Sequence, residues 1–104
     1  MSETIAVVNN EAASRFEARL GDAVAFTEYR LHEGEIILPH TVVPEEFSGR
    51  GVGGKLAEAA LSYAREEGLE VVPTCPFIAG YITKHPEWHD VVAAGYRTRL
   101  GIEG

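Results

Sequence analysis

The 104-residue sequence predicts a single compact α/β domain built on a mixed, mostly antiparallel twisted sheet with two main helices. Three observations predict it. The first forty or so residues alternate apolar and polar side chains in short runs separated by turn residues, the pattern of adjacent antiparallel strands. At Gly51 the apolar period changes from two to that of a helix. The helical run is followed by a short apolar stretch, "LEVVPT", so the order strand, helix, strand implies a crossover to a parallel neighbour.

The strand runs read in order as "TIAVV", "SRFEARL", "AVAFTEYRL" and "EIILPHTVV". "NNEAA", Gly21-Asp22 and His32 to Gly34 supply the turns, and connections this short join antiparallel neighbours, so residues 4–43 form a meander. From Gly51, the residues Val52, Leu56, Ala57, Ala60, Leu61 and Ala64 recur on one helical face, Glu58 and Arg65 fall on the other, and Gly68 stands where a helix of about four turns should end. A second helix is expected after Cys75, because Pro76 suits a first helical position and Phe77, Ile78, Tyr81 and Ile82 follow at helical spacing until Pro86. The core spans about residues 5–92, and residues 93–104 are expected as a C-terminal tail.

Composition narrows the function. The sequence is 45% hydrophobic and 24% charged, with no apolar run approaching the roughly 20 residues of a membrane span and no secretory leader at its start, so a cytoplasmic protein is expected. A net charge of −7 argues against nucleic acid, whose phosphates need clustered Lys and Arg. One cysteine, Cys75, forms no internal disulfide. His85 and His89 are four apart, but Pro86 interrupts them and no third ligand is evident, so they read as structural and no metal is expected.

The chemistry concentrates in "SGRGVGGKL", residues 48–56. Glycines just before a helix leave backbone amides uncovered, and those amides together with the helix dipole suit an anionic group. Gly49, Gly51 and Gly54 match G-x-G-x-x-G, yet the loop does not follow the first strand of a βαβ unit, and Glu70 stands at the beginning of the next strand rather than its end. Gly49, Gly54 and Lys55 match G-x-x-x-x-G-K, yet Leu56 replaces the hydroxyl residue that should meet magnesium.

Antiparallel strands, then this loop, then helix, strand and helix, resemble the GNAT N-acetyltransferase superfamily. Its loop pattern, [Gln/Arg]-x-x-Gly-x-[Gly/Ala], is matched by Ser48-Gly49-Arg50-Gly51-Val52-Gly53 with one departure, Ser48. The downstream "VVPTCPFIAGYITKHPEWHDVV" is similar to the small single-domain YjdJ-type branch, with its Cys-Pro-Phe step and Lys-His-Pro-Glu-aromatic ending. The resemblance implies acetyl-CoA as cosubstrate. Its pyrophosphate would lie on the amides of residues 49–54, including Val52 and Gly53, with Arg50 and Lys55 either adding charge or serving as solvated surface, and its pantetheine arm would lie beside Thr41, Val42 and Val43. It implies acetyl transfer to an amine, such as a protein lysine or N-terminus. The groove is expected to be open because the two N-terminal helices of larger members are lacking, and the negative net charge favours a cationic acceptor. The alternative is a non-catalytic acyl-CoA binding module. Either is expected as a monomer or weak dimer.

Three side chains are candidates for the chemistry. Cys75 precedes a helix start, which favours a thiolate, although a free cysteine also serves as a small core side chain. Tyr81 matches the place where the superfamily often has a tyrosine that protonates the departing thiolate, and a core tyrosine is the alternative. His40 is the residue type suited to take a proton from an attacking amine, or else a strand histidine beside Pro39. Glu28 and Glu35 are further base candidates with the same bland alternative.

Overall fold

The computed structural model describes residues 5–102, so Thr4, expected at the head of the first strand, and residues 103–104 of the expected tail lie outside it. Five strands form one sheet in the order of the chain: β1 (Val7–Asn10), β2 (Arg15–Leu20), β3 (Ala23–His32), β4 (Glu35–Val42) and β5 (Glu70–Val72). The first four make the expected antiparallel meander, and β5 joins β4 in parallel through Glu35↔Glu70, Ile36↔Val71 and Ile37↔Val72. The β3–β4 hairpin turns on Glu33 (φ 43°) and Gly34 (φ 83°), two consecutive left-handed residues between the paired His32 and Glu35, a geometry whose twist matches that of the flanking strands.

Helix α1 (Val52–Glu67) crosses one face of the sheet. All six apolar positions read at helical spacing, from Val52 to Ala64, are buried, and they meet Phe16, Ala18, Ala25, Tyr29, Ile36 and Leu38 from the strands. Gly68 ends the helix in the left-handed region (φ 69°), with its amide bonded to Arg65 O and that of Leu69 to Ala64 O, the paired bonds of a Schellman cap. Helix α2 (Pro76–Lys84) follows β5 directly and buries Ile78 and Ile82. A 3₁₀ segment (Pro86–Val91) brings Trp88 beneath Arg65, whose guanidinium lies 4.4 Å from the indole ring. Residues expected as a tail form a short helix, α3 (Ala94–Leu100), that packs Tyr96 and Leu100 on the core.

Two irregularities shape the site. Between the paired residues Glu28↔His40 and Arg30↔Ile37, β3 advances by two residues and β4 by three, so β4 carries a bulge at Leu38-Pro39. Proline has no amide to lose from the ladder, which is why a bulge accommodates it. Next to the bulge, β5 ends at Val72; the Cys75 amide still reaches Leu38 O at 2.9 Å, but no described strand pairs the β5-side edge of β4 from His40 to Val42. The two parallel strands therefore part at this end. The face of the sheet away from α1 carries Val8, Arg19, Arg30 and His40, all exposed, and one buried carboxylate, Glu17. Arg15, Arg19 and Asn10 bond that carboxylate. The hydrogen bond from Arg15 dominates and holds its pKa below the ordinary value, against the upward push of burial.

Candidate functional site

The loop into α1 is anchored by Phe47, fully buried at the end of a 3₁₀ turn (Glu45–Phe47). Gly49 (φ 76°) and Gly51 (φ 67°) then take left-handed conformations. A Cβ at either would meet nothing within 4 Å, so glycine is required here by backbone conformation and not by crowding. No side chain caps α1, and the first helical bond runs from Lys55 N–H to Gly51 O at 3.2 Å. The amides of Val52, Gly53 and Gly54 therefore have no carbonyl within the helix to donate to, and they stand at its positive end.

Those residues open onto a cleft of about 480 Å³. Its walls include Thr41, Val43, Ser48, Gly49, Gly51, Val52, Gly53 and Gly54, while Val42, Arg50 and Lys55 lie off it. Phe47 and Phe77 complete the lining. Sequence reading grouped Phe77 with the apolar face of α2, yet its ring is 44% exposed and leans over the start of α1, where a Cβ on Gly53 would come within 2.6 Å of it. The same ring walls a second cleft of about 350 Å³ along α2, lined by Gly80, Tyr81, Lys84 and His85.

The three candidate reactive residues occupy different surroundings. Cys75 is buried where β4 and β5 part, with its sulfur 3.4 Å from the Thr41 hydroxyl. Tyr81 lies beyond Phe77, in the second cleft, its ring stacked 3.9 Å from that of His85. Burial pushes the Tyr81 pKa up, Glu58 and Glu87 add to the effect, and a hydrogen bond from the Trp88 side chain opposes it. His40 is exposed on the outer face of the sheet, edge-on to Phe26 at 6.3 Å and across the ladder from Glu28. The structure thus joins Cys75 to Thr41 and leaves Tyr81 and His40 to either side.

The rings of His85 and His89 bond the carbonyls of Tyr81 (2.7 Å) and Ile82 (2.9 Å). Among the described residues no group of three or more His, Cys, Asp or Glu is arranged to hold a metal ion. No helix among them is long and apolar enough to cross a membrane.

A mixed sheet that parts between two parallel strands, with an uncapped, glycine-rich helix start facing the gap, has the layout of the GNAT fold. Residues 15–91 match the family model described as GCN5-related N-acetyl-transferase. The chain is 35% identical over 89 residues to Protein NATD1 of Xenopus tropicalis, covering 82% of this chain and 81% of that protein, and 35% identical over 86 residues to the human Protein NATD1, covering 79% and 75%. It also superimposes with a TM-score of 0.69 on a solution structure from Staphylococcus aureus described as GCN5-like and proposed as an N-acetyltransferase, at 31% identity over 85% of this chain and 87% of that one. The chain belongs to the GCN5-related N-acetyltransferase family.

Proposed function

We propose that this protein, as a small GNAT of the YjdJ type, transfers an acetyl group from acetyl-CoA to an amine. The observation that carries the reading is the meeting, in one cleft, of the free amides of Val52 to Gly54 with the Thr41 side chain where β4 loses its neighbour. The amides suit a pyrophosphate, and each such contact at a helix start is worth roughly 0.3–1 kcal/mol. The unpaired edge of β4 at residues 41–43 suits an amide-bearing arm, because strand edges offer unsatisfied donors and acceptors. Thr41 and Cys75 would flank the reacting carbonyl. Tyr81, whose pKa burial raises, would protonate the departing thiolate. His40, on the uncovered outer face, would take the proton of an amine arriving from that side, and the −7 charge of the chain favours a cationic acceptor such as a protein lysine or N-terminus.

Thermal shifts with acetyl-CoA, CoA, ATP and NAD in parallel test the ligand, since only a binder of the native state raises the midpoint. The expected outcome is stabilisation by the first two alone. Gly51→Val forces a β-branched residue to positive φ at the mouth of the cleft and should abolish that shift in a protein that still folds; unchanged affinity would sink the assignment. The separation of Cys75, Tyr81 and His40 favours a second reading, a non-catalytic acyl-CoA binding module. Release of free CoA in the presence of amines, including lysine peptides, separates the two.

A further inference from the structure

Helix α2 holds a glycine that the fold itself does not require. Gly80 lies inside the helix without a positive φ, and a Cβ built on it would meet nothing within 4 Å, so neither backbone conformation nor crowding excludes a side chain there. Alanine would favour the helix more, and a glycine in such a place leaves room for the close approach of another group. Gly80 lines the second cleft together with Phe77, Tyr81, Lys84 and His85. Phe77 turns an apolar ring to solvent there, and the exposed Lys84 enters no ion pair among the described residues.

The cleft has the chemistry of a seat for a flat, anionic molecule. The ring centroids of Tyr81 and His85 lie 3.9 Å apart with the planes at 13°, so the pair forms one flat wall, and Phe77 adds a second aromatic surface. Aromatic faces beside a stretch of bare backbone offer a planar base stacking partners and no side chain to displace. Lys84 adds a point charge about two turns of helix past Phe77, roughly 10 Å along the axis.

The cleft also adjoins the free amides of α1. A Cβ on Gly53 would come within 2.6 Å of Phe77 and one on Gly54 within 3.6 Å of Tyr81, so both rings rest against the turn that carries those amides. The pyrophosphate of CoA is esterified at both ends. One end leads, on the acyl-CoA reading above, through the first cleft to the pantetheine arm beside residues 41–43. The other end carries the nucleoside, and the second cleft begins across Phe77. We propose that this cleft seats the adenine of CoA over Gly80, with Lys84 paired to the phosphate on its ribose. Gly80 then admits the base, and Lys84 makes the protein prefer CoA to dephospho-CoA. The inference rests on that acyl-CoA reading and adds to it the residues that select the cosubstrate.

Calorimetric titration with CoA, dephospho-CoA and 4′-phosphopantetheine, which lacks the nucleoside, tests the seat without any transferase assay. The wild type should bind CoA about three- to fivefold more tightly than dephospho-CoA, the range of an exposed ion pair. Lys84→Gln should remove that difference by weakening CoA alone. Gly80→Leu puts a good helix former where its Cβ has room, so the variant should fold with an unchanged or raised thermal midpoint. Its side chain fills the cleft and should weaken CoA and dephospho-CoA about tenfold while leaving 4′-phosphopantetheine as it was. Equal wild-type affinity for all three ligands, an unchanged CoA affinity in Gly80→Leu, a parallel loss of 4′-phosphopantetheine, or an undiminished preference in Lys84→Gln would overturn the seat and leave the acyl-CoA reading standing. A wild type that binds none of the three refutes that reading and the seat with it.

Discussion

The contact between Gly53 and Phe77 gives a prediction whose size follows from the structure. Gly53 lies in the first turn of α1 without a positive φ, so alanine there is favoured by helix propensity, by about 1 kcal/mol relative to glycine. Its Cβ, however, would stand 2.6 Å from the Phe77 Cζ, so the ring must swing away. That ring is already 44% exposed, and the cover it still has, set against about 1.5–3 kcal/mol for complete burial of a phenylalanine, leaves roughly 1 kcal/mol to lose. Gly53→Ala should thus be close to neutral in the wild type and stabilising by about 1 kcal/mol in a Phe77→Ala background, a coupling that corresponds to roughly 4–8 °C in the thermal midpoint. Urea denaturation of the four proteins of the cycle measures it. Additivity to within about 0.3 kcal/mol would show that the two residues do not meet as described. Because Phe77 also divides the two clefts, Phe77→Ala should join them into one trough, and acetyl-CoA affinity measured on the same four proteins reports whether that partition matters to the ligand.

Tyr81→Phe should lower kcat with little change in KM if the hydroxyl acts only on the departing thiolate; wild-type turnover would leave Tyr81 as a partner of Trp88 and His85 alone. Cys75→Ala should retain most of the turnover, and brief exposure of the wild type to acetyl-CoA should leave no acetyl adduct by intact mass, as direct transfer to the amine requires; an adduct on Cys75 together with loss of turnover in the alanine variant would place a covalent acyl-cysteine step in its stead. Glu17 has a folded pKa lowered chiefly by Arg15, so it contributes stability that is present above its unfolded pKa and is lost as pH falls through the folded one. Glu17→Gln should accordingly flatten the acid limb of the stability profile and cost roughly 1–2 kcal/mol at neutral pH, modest because both arginines are partly exposed; an unchanged acid limb would refute the assignment.

What the sequence by itself determined is what depends on neighbours along the chain. The limits of α1 follow from the change of period at Gly51 and from Gly68, both of which act within a few residues, and Pro76 marks the start of α2 for the same reason. The meander follows from alternation and from turns such as Glu33-Gly34. The glycine loop was legible because an uncapped helix start is a local property. The placement of His40 was not. Uninterrupted alternation puts Ile36, Leu38 and His40 on one face, which would turn the histidine toward the helices and Cys75. The bulge at Leu38-Pro39 inserts one residue, and every side chain beyond it changes face, so Thr41 takes the inner position and His40 the outer. The meeting of Thr41 and Cys75 depends on that same shift, and the lean of Phe77 on the absence of a side chain at Gly53. Each is a contact between residues distant in sequence or a parity set by one extra residue, and only the assembled sheet decides which side chains then share a face.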